Sequence, residues 1–197
     1  AGVIGLILVF AFMIIYYRIP GLAASIALVM YTAFVIVLLS AFNEEITLTL
    51  PGIAGIILGI GMAVDANCII FARIREEIGA GKSVRTAIDA GFAKAFSAII
   101  DGNVTTLIAA GVLYFIGSGT VKGFAQTLAL GIVVSMFTAL VITKNILKSF
   151  YAVGLQDEKL YGKTVYTKTF NFIGKRKLFY SASGIVIAIG IVAMVVS

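Results

Sequence analysis

Long apolar runs separated by short polar breaks dominate the chain. They place six spans at about Gly2–Tyr17, Leu22–Phe42, Ile53–Phe71, Phe96–Ile116, Gly123–Ile142 and Leu178–Val196. A helix of about 20 apolar residues crosses the ~30 Å hydrocarbon layer of a bilayer. The expected fold class is all-α, a polytopic transmembrane helix bundle of about six spans. Ser83–Ala95 has another rhythm: Val84, Ile88 and Phe92 recur at i, i+4 and i+8, with Arg85, Asp89 and Lys94 off that stripe. With Ser83 as its N-cap, this predicts an amphipathic helix lying on the cytoplasmic surface of the membrane. From Lys148 the chain turns polar, and Gly154, Gly162 and Gly174 break any long helix; the end of this stretch, Phe170–Lys177, reads as an amphipathic approach to the membrane. The expected organisation is a five-span membrane domain over residues 1–147, a cytoplasmic linker over 148–177, and the first span of a second, truncated half over 178–197. Because apolar sequence begins at once after Ala1, upstream sequence is expected as well.

Composition agrees with the pattern. Hydrophobic residues make up 61% of the 197 and charged residues 12%, against about 45–50% and about 25% in soluble domains. This excludes a soluble enzyme, a disordered tail and a disulfide-stapled module. Cys68 is the single cysteine, so no internal disulfide forms. Histidine is absent, which leaves proton exchange to carboxylates, Tyr, Lys or the lone thiol. The net charge of +6 is an orientation signal, not a nucleic-acid patch: with these spans, 14 of the 15 basic residues fall on one side and only Lys122 on the other. The positive-inside rule makes the basic side cytoplasmic, and contact with anionic lipid head groups follows from it.

An ionisable side chain at bilayer depth costs roughly 2.5–3.5 kcal/mol on insertion scales, so each one marks a candidate function. Asp65, in Gly61-Met62-Ala63-Val64-Asp65-Ala66-Asn67, lies ~18 Å into its span, near the midplane. Asp101, in Asp101-Gly102-Asn103-Val104-Thr105-Thr106, is shallower, where water or Lys94 would keep it charged. The two segments share an Asp-x-Asn pattern and would face each other in an antiparallel pair. Asp65 reads as a proton acceptor, because poor solvation disfavours the charged carboxylate; the alternative is a protonated Asp hydrogen-bonded to Asn67, Asn103 or a carbonyl as interhelical glue. Thr105 and Thr106 read first as packing and backbone hydrogen bonding. Gly55 and Gly59 form a small-xxx-small pattern that permits close helix approach, and Gly59, Gly61 and Gly102, flanking the acids, are candidate hinges. Gly79-Ala80-Gly81-Lys82-Ser83 lacks the first glycine of a phosphate-binding loop, since Glu76 occupies that position, and no strand precedes it. Use of ATP and enzymatic activity are therefore not expected.

Several of these motifs resemble a known family. Pro51–Leu58, Gly61–Asn67, Phe71–Glu77, Ala90-Gly91-Phe92 through Thr105-Thr106-Leu107, and Val121–Ala125 resemble the SecD subunit of the bacterial protein-export machinery, in the right order across residues 1–147. Phe172–Lys177 followed by an apolar helix resembles the entry to the first helix of SecF, as in a fused SecDF. The resemblance implies membership of the resistance-nodulation-division superfamily and a location in the bacterial cytoplasmic membrane. It implies an accessory subunit of the Sec translocon that uses a proton or sodium gradient to promote polypeptide export. No cofactor is implied beyond the transported H⁺ or Na⁺. Carried over by motif, Asp65 would be the coupling carboxylate with Asn67 beside it, and Asp101, Asn103, Thr105 and Thr106 would line the same pathway. The implied partners are a SecF-like half, the SecYEG channel, YajC, YidC, unfolded preprotein and membrane lipids, with no nucleic acid. A small-molecule or lipid exporter of the superfamily, or a structural scaffold for channel assembly, are the rival readings.

Overall fold

A computed structural model describes residues 2–42, 49–162 and, between 179 and 194, a set of helical positions. The chain divides into two compact units, Ala1–Thr164 and Val165–Ser197. In the first, the elements run α1 (Gly2–Tyr17), α2 (Ile19–Ala41), α3 (Leu50–Gly79), α4 (Val84–Ile116), α5 (Thr120–Phe137), a π-helical turn (Thr138–Ile142), α6 (Thr143–Ala152) and α7 (Glu158–Tyr161). Among the described residues there is no strand, as the all-α reading requires.

Four helices are long and apolar enough to cross a membrane: α2, α3, α4, and the continuous rod Thr120–Ala152 that α5, the π turn and α6 form together. The expected count of six is therefore corrected to four among the described residues. α1 contributes a shorter apolar stretch, Ile7–Tyr17, and most of the span expected at 178–196 lies outside the described residues. The outer surface is apolar, with Ile15, Ile57, Ile108, Phe115 and Ile116 all exposed. Such a surface belongs in hydrocarbon.

Local chemistry sets the helix ends. The Thr49 side chain accepts from Gly52 N at 3.1 Å, and Pro51 follows in the first turn of α3. Ser83 caps α4, its hydroxyl accepting from Thr86 N. Gly154 and Gly162 take φ of 109° and 77° where the chain turns on either side of α7. The break expected at Gly174 falls outside the described residues, as does the Phe170–Lys177 approach. The first part of the segment expected as a linker is helical: the end of α6 and all of α7 lie in it, and Tyr161 is fully buried.

The helix expected on the membrane surface is a correction. Val84–Ile116 is one unbroken helix, and Val84, Ile88 and Phe92 are buried in a core with Ile70, Phe71, Ile74 and Ile78 of α3. The 30 residues of α3 span ~45 Å, about 15 Å more than the hydrocarbon. Its polar last turns therefore stand clear of the membrane and carry a stripe for α4 to cover. Gly91 sits at this contact, where a Cβ would lie 2.5 Å from Ile74 Cγ1 and 2.8 Å from its backbone N.

Polar pairs hold that end of the bundle. Glu77, buried at the end of α3, pairs with Lys82 Nζ at 2.5 Å and with Lys94 of α4. Of the two expected to keep Asp101 charged, water and Lys94, Lys94 is instead paired with Glu77. The Arg75 guanidinium lies 4.8 and 4.7 Å from the ring centroids of Tyr16 and Tyr17, and donates to the carbonyls of Tyr16 and Tyr161. Arg18 Nη1 donates to Lys159 O at 2.7 Å. The basic loops therefore gather at one end.

Hydrogen bonds from Lys82 and Lys94 hold the Glu77 carboxyl below the ordinary carboxylate range. A depressed carboxyl stabilises the fold above its unfolded value and loses that contribution as pH falls through its folded value. The thermal midpoint should therefore drop as the medium is acidified below about pH 4. Glu77→Gln should lower the midpoint near neutrality and flatten this acid limb, as read by circular dichroism in detergent.

Candidate functional site

Asp65 lies at the middle of α3, on the side turned toward α4. With Met62, Ala66 and Ile69 it faces Ile99, Gly102, Asn103 and Thr106 across a groove of about 180 Å³. Its carboxylate is exposed to this groove and makes no hydrogen bond or ion pair with any described residue. Polar groups on the wall use their donors locally: Asn103 Nδ2 donates to Ile99 O at 2.7 Å, and Thr106 Oγ1 to Gly102 O at 3.0 Å. Back-bonding of this kind satisfies hydroxyl and amide groups inside an apolar span. It leaves the Asn103 amide oxygen and the Thr106 lone pairs as the groove's acceptors.

The two Asp-x-Asn segments contribute unequally. Asn67 is buried on another face of α3, where Nδ2 donates to Ala63 O at 2.9 Å and Oδ1 has no partner among the described residues. Asp101 and Thr105 stand on an exposed stripe of α4 outside the groove. Ser97 Oγ donates to Asp101 Oδ2 at 3.3 Å and Thr105 Oγ1 to Asp101 O at 2.8 Å. Asp101 and Thr105, four residues apart, share one stripe of α4, and neither lines the groove. The structure brings together Asp65, Gly102, Asn103 and Thr106, and does not bring Asn67, Asp101 or Thr105 to them.

The glycines divide in the same way. Gly55 and Gly59 lie at the crossing of α3 with α5. A Cβ on Gly55 would come within 2.6 Å of Thr127 Oγ1 and 3.2 Å of Phe124 O, and one on Gly59 within 2.4 Å of the Tyr31 hydroxyl and 3.3 Å of Gly131 Cα. Gly61 and Gly102 meet nothing within 4 Å. Sequence reasoning missed Tyr31, a fully buried tyrosine whose hydroxyl has no partner among the described residues. Its only signal was a polar aromatic inside an apolar span. Among the described residues no group of three or more Cys, Asp or Glu is placed to hold a metal ion. The groove's chemistry is thus that of one carboxylate among weak neutral acceptors, which suits a proton or a small monovalent cation.

Comparison with known proteins adds an independent line. Residues 1–153 match the family model described as protein export membrane protein SecD/SecF, C-terminal. The chain is 56% identical over 147 residues to the protein translocase subunit SecD of Acidaminococcus fermentans, covering 75% of this chain and 35% of that protein. It is 55% identical over 148 residues to the SecD of Synechocystis, covering 75% and 31%. The crystal structure of SecDF from Thermus thermophilus, described as a translocon-associated membrane protein, superposes with a TM-score of 0.81 at 37% identity, covering 95% of this chain and 26% of that one. The chain thus spans about a third of the length of the curated relatives it matches.

Proposed function

The chain belongs to the SecD/SecF C-terminal family of protein-export membrane proteins, and from that premise we propose that it forms the ion-coupling membrane core of a Sec accessory subunit. In this reading Asp65 is the group that binds and releases the ion. The carrying observation is its unpaired carboxylate at mid-helix, opening on a groove whose opposite wall supplies Asn103 and Thr106. A carboxylate used only as glue would be hydrogen-bonded, and this one has no such bond to a described residue. The substrate is an unfolded preprotein leaving through the SecYEG channel, with a SecF-like half completing the bundle, YajC and YidC as further partners, and the basic loops facing the cytoplasm. Binding an ion neutralises Asp65 and changes which packing of α3 on α4 is favoured. The ion shifts that equilibrium only by its difference in affinity for the two packings.

The test uses the whole protein in vesicles with the channel and its ATPase. Export stimulation should vanish when a protonophore collapses the proton gradient, or when a sodium ionophore collapses the sodium gradient, according to which ion is used. Stimulation that survives both treatments together would refute gradient coupling.

A further inference from the structure

The seam between α4 and the rod of α5, the π turn and α6 carries two adjoining hollows. A groove of about 490 Å³ runs between Phe92, Ala93 and Phe96 of α4 and Leu140, Val141 and Lys144 across from them. Below it, toward the polar end, a hollow of about 320 Å³ lies between Arg85 and Ile88 of α4 and Lys148, Tyr151 and Ala152 of α6. The upper groove is apolar, with Phe96 and Val141 exposed in it. The lower hollow is cationic. Lys144 stands at the junction, its ammonium 5.6 Å from the Phe92 ring centroid.

The π turn builds the upper wall. It places Leu140 and Val141 on the groove, while on the core side the Thr143 hydroxyl donates to Thr138 O at 3.1 Å. The Thr138 carbonyl of the widened turn is therefore satisfied from within; π turns are frequent at functional sites. The charges do not balance. Asp89 accepts from Lys148 at 2.8 Å and lies 3.6 Å from Lys144, while Arg85 has no ion pair among the described residues. Three cations thus share one carboxylate. The apolar to cationic change, from Val141 to Lys148, covers ~10 Å along the helix, enough to pass from hydrocarbon through a head-group layer of ~5–7 Å.

We propose that this seam binds an anionic glycerophospholipid, with its acyl chains along Phe92, Phe96, Leu140 and Val141 and its phosphate among Arg85, Lys144 and Lys148. The excess positive charge selects an anionic head group over a zwitterionic one. Basic hollows between spanning helices at the membrane surface bind such lipids. The site requires a bilayer but not ion coupling, so its failure and the failure of the Asp65 reading are separate events.

The chain contains no tryptophan, so Phe96→Trp installs a single reporter in the groove. The protein is reconstituted into vesicles containing brominated phosphatidylglycerol or brominated phosphatidylcholine, and quenching gives the relative affinity. Phosphatidylglycerol should be preferred by roughly fivefold or more. The preference should fall to near unity when Arg85, Lys144 and Lys148 are changed to Gln, and rise with Asp89→Asn. Phe115→Trp, at the far end of α4, should show no preference. Equal quenching of the Phe96→Trp reporter by the two lipids, or an equal preference at the Phe115→Trp reporter, would overturn the proposal. So would a preference that survives the three Gln substitutions, one that Asp89→Asn leaves unchanged, or one that millimolar inorganic phosphate abolishes, since the last marks a site for small anions.

Discussion

Asp65→Asn should abolish the gradient-dependent part of export while leaving the bundle folded. One charge moved through about 100 mV is worth ~2.3 kcal/mol, a factor of roughly 50 in an equilibrium. Asn cannot take up a proton or neutralise a cation, so this whole factor is lost. The change in stability should stay within about 0.5 kcal/mol, because the carboxylate makes no hydrogen bond or ion pair to a described residue that the amide would break. Asp65→Glu keeps a titratable group but moves it by one methylene, so it should retain part of the coupling. The measurement is export in vesicles with and without an imposed gradient, alongside thermal unfolding. A variant that still responds to the gradient as the parent does would remove Asp65 from the coupling role. One that loses export through failed assembly would instead make the residue structural.

Gly91→Val should be the most damaging single change in the α3–α4 hairpin. Even the Cβ of Ala would lie 2.8 Å from Ile74 N and 3.0 Å from Ile74 Cα, and helix backbone does not yield as a side chain end does. The two helices must separate, which opens the contacts of Ile74, Ile78, Val84 and Ile88 in the core beside them. Overpacking of this kind costs about 3 kcal/mol. Gly61→Ala provides the contrast. Its Cβ meets nothing within 4 Å, so the substitution should stabilise the helix by about 0.5–1 kcal/mol. Should Gly61→Ala also lower transport, the residue would act as a hinge; unchanged transport would leave it as plain open surface. Thermal midpoints in detergent separate the two sites: Gly91→Val should fall by several degrees and Gly61→Ala should not.

Much of this was written in the linear pattern. The spans from α2 to the end of α5 follow runs whose length a bilayer dictates, and the cap at Ser83 follows from its side chain. The α4 extension was misplaced because an apolar stripe looks the same whether it will face lipid or another helix. The deciding signal was the complementary stripe Ile70, Ile74 and Ile78 on α3, which only a pairing of the two segments exposes. The π turn left no mark, since one extra residue per turn has no compositional signature. Asp65 was legible as an isolated charge in an apolar run. Its separation from Asp101 and Asn67 was not, because the rotational phase of α4 about its axis is set by Gly91 and Ala110 packing at its two ends.

That packing has a mechanical consequence. Helix α4 is seated on α3 through Ile99 and on α5 at Ala110, and between those residues no side chain is buried. It is a beam held at both ends and at most half-buried over the ~12 Å between Ile99 and Leu107, the stretch that lines the groove with Asp65. A sideways bow of that section resizes the chamber below it while both supports stay in place. The compliant part of α4 and Asp65, whose carboxylate has no hydrogen bond or ion pair among the described residues, thus occupy the same level.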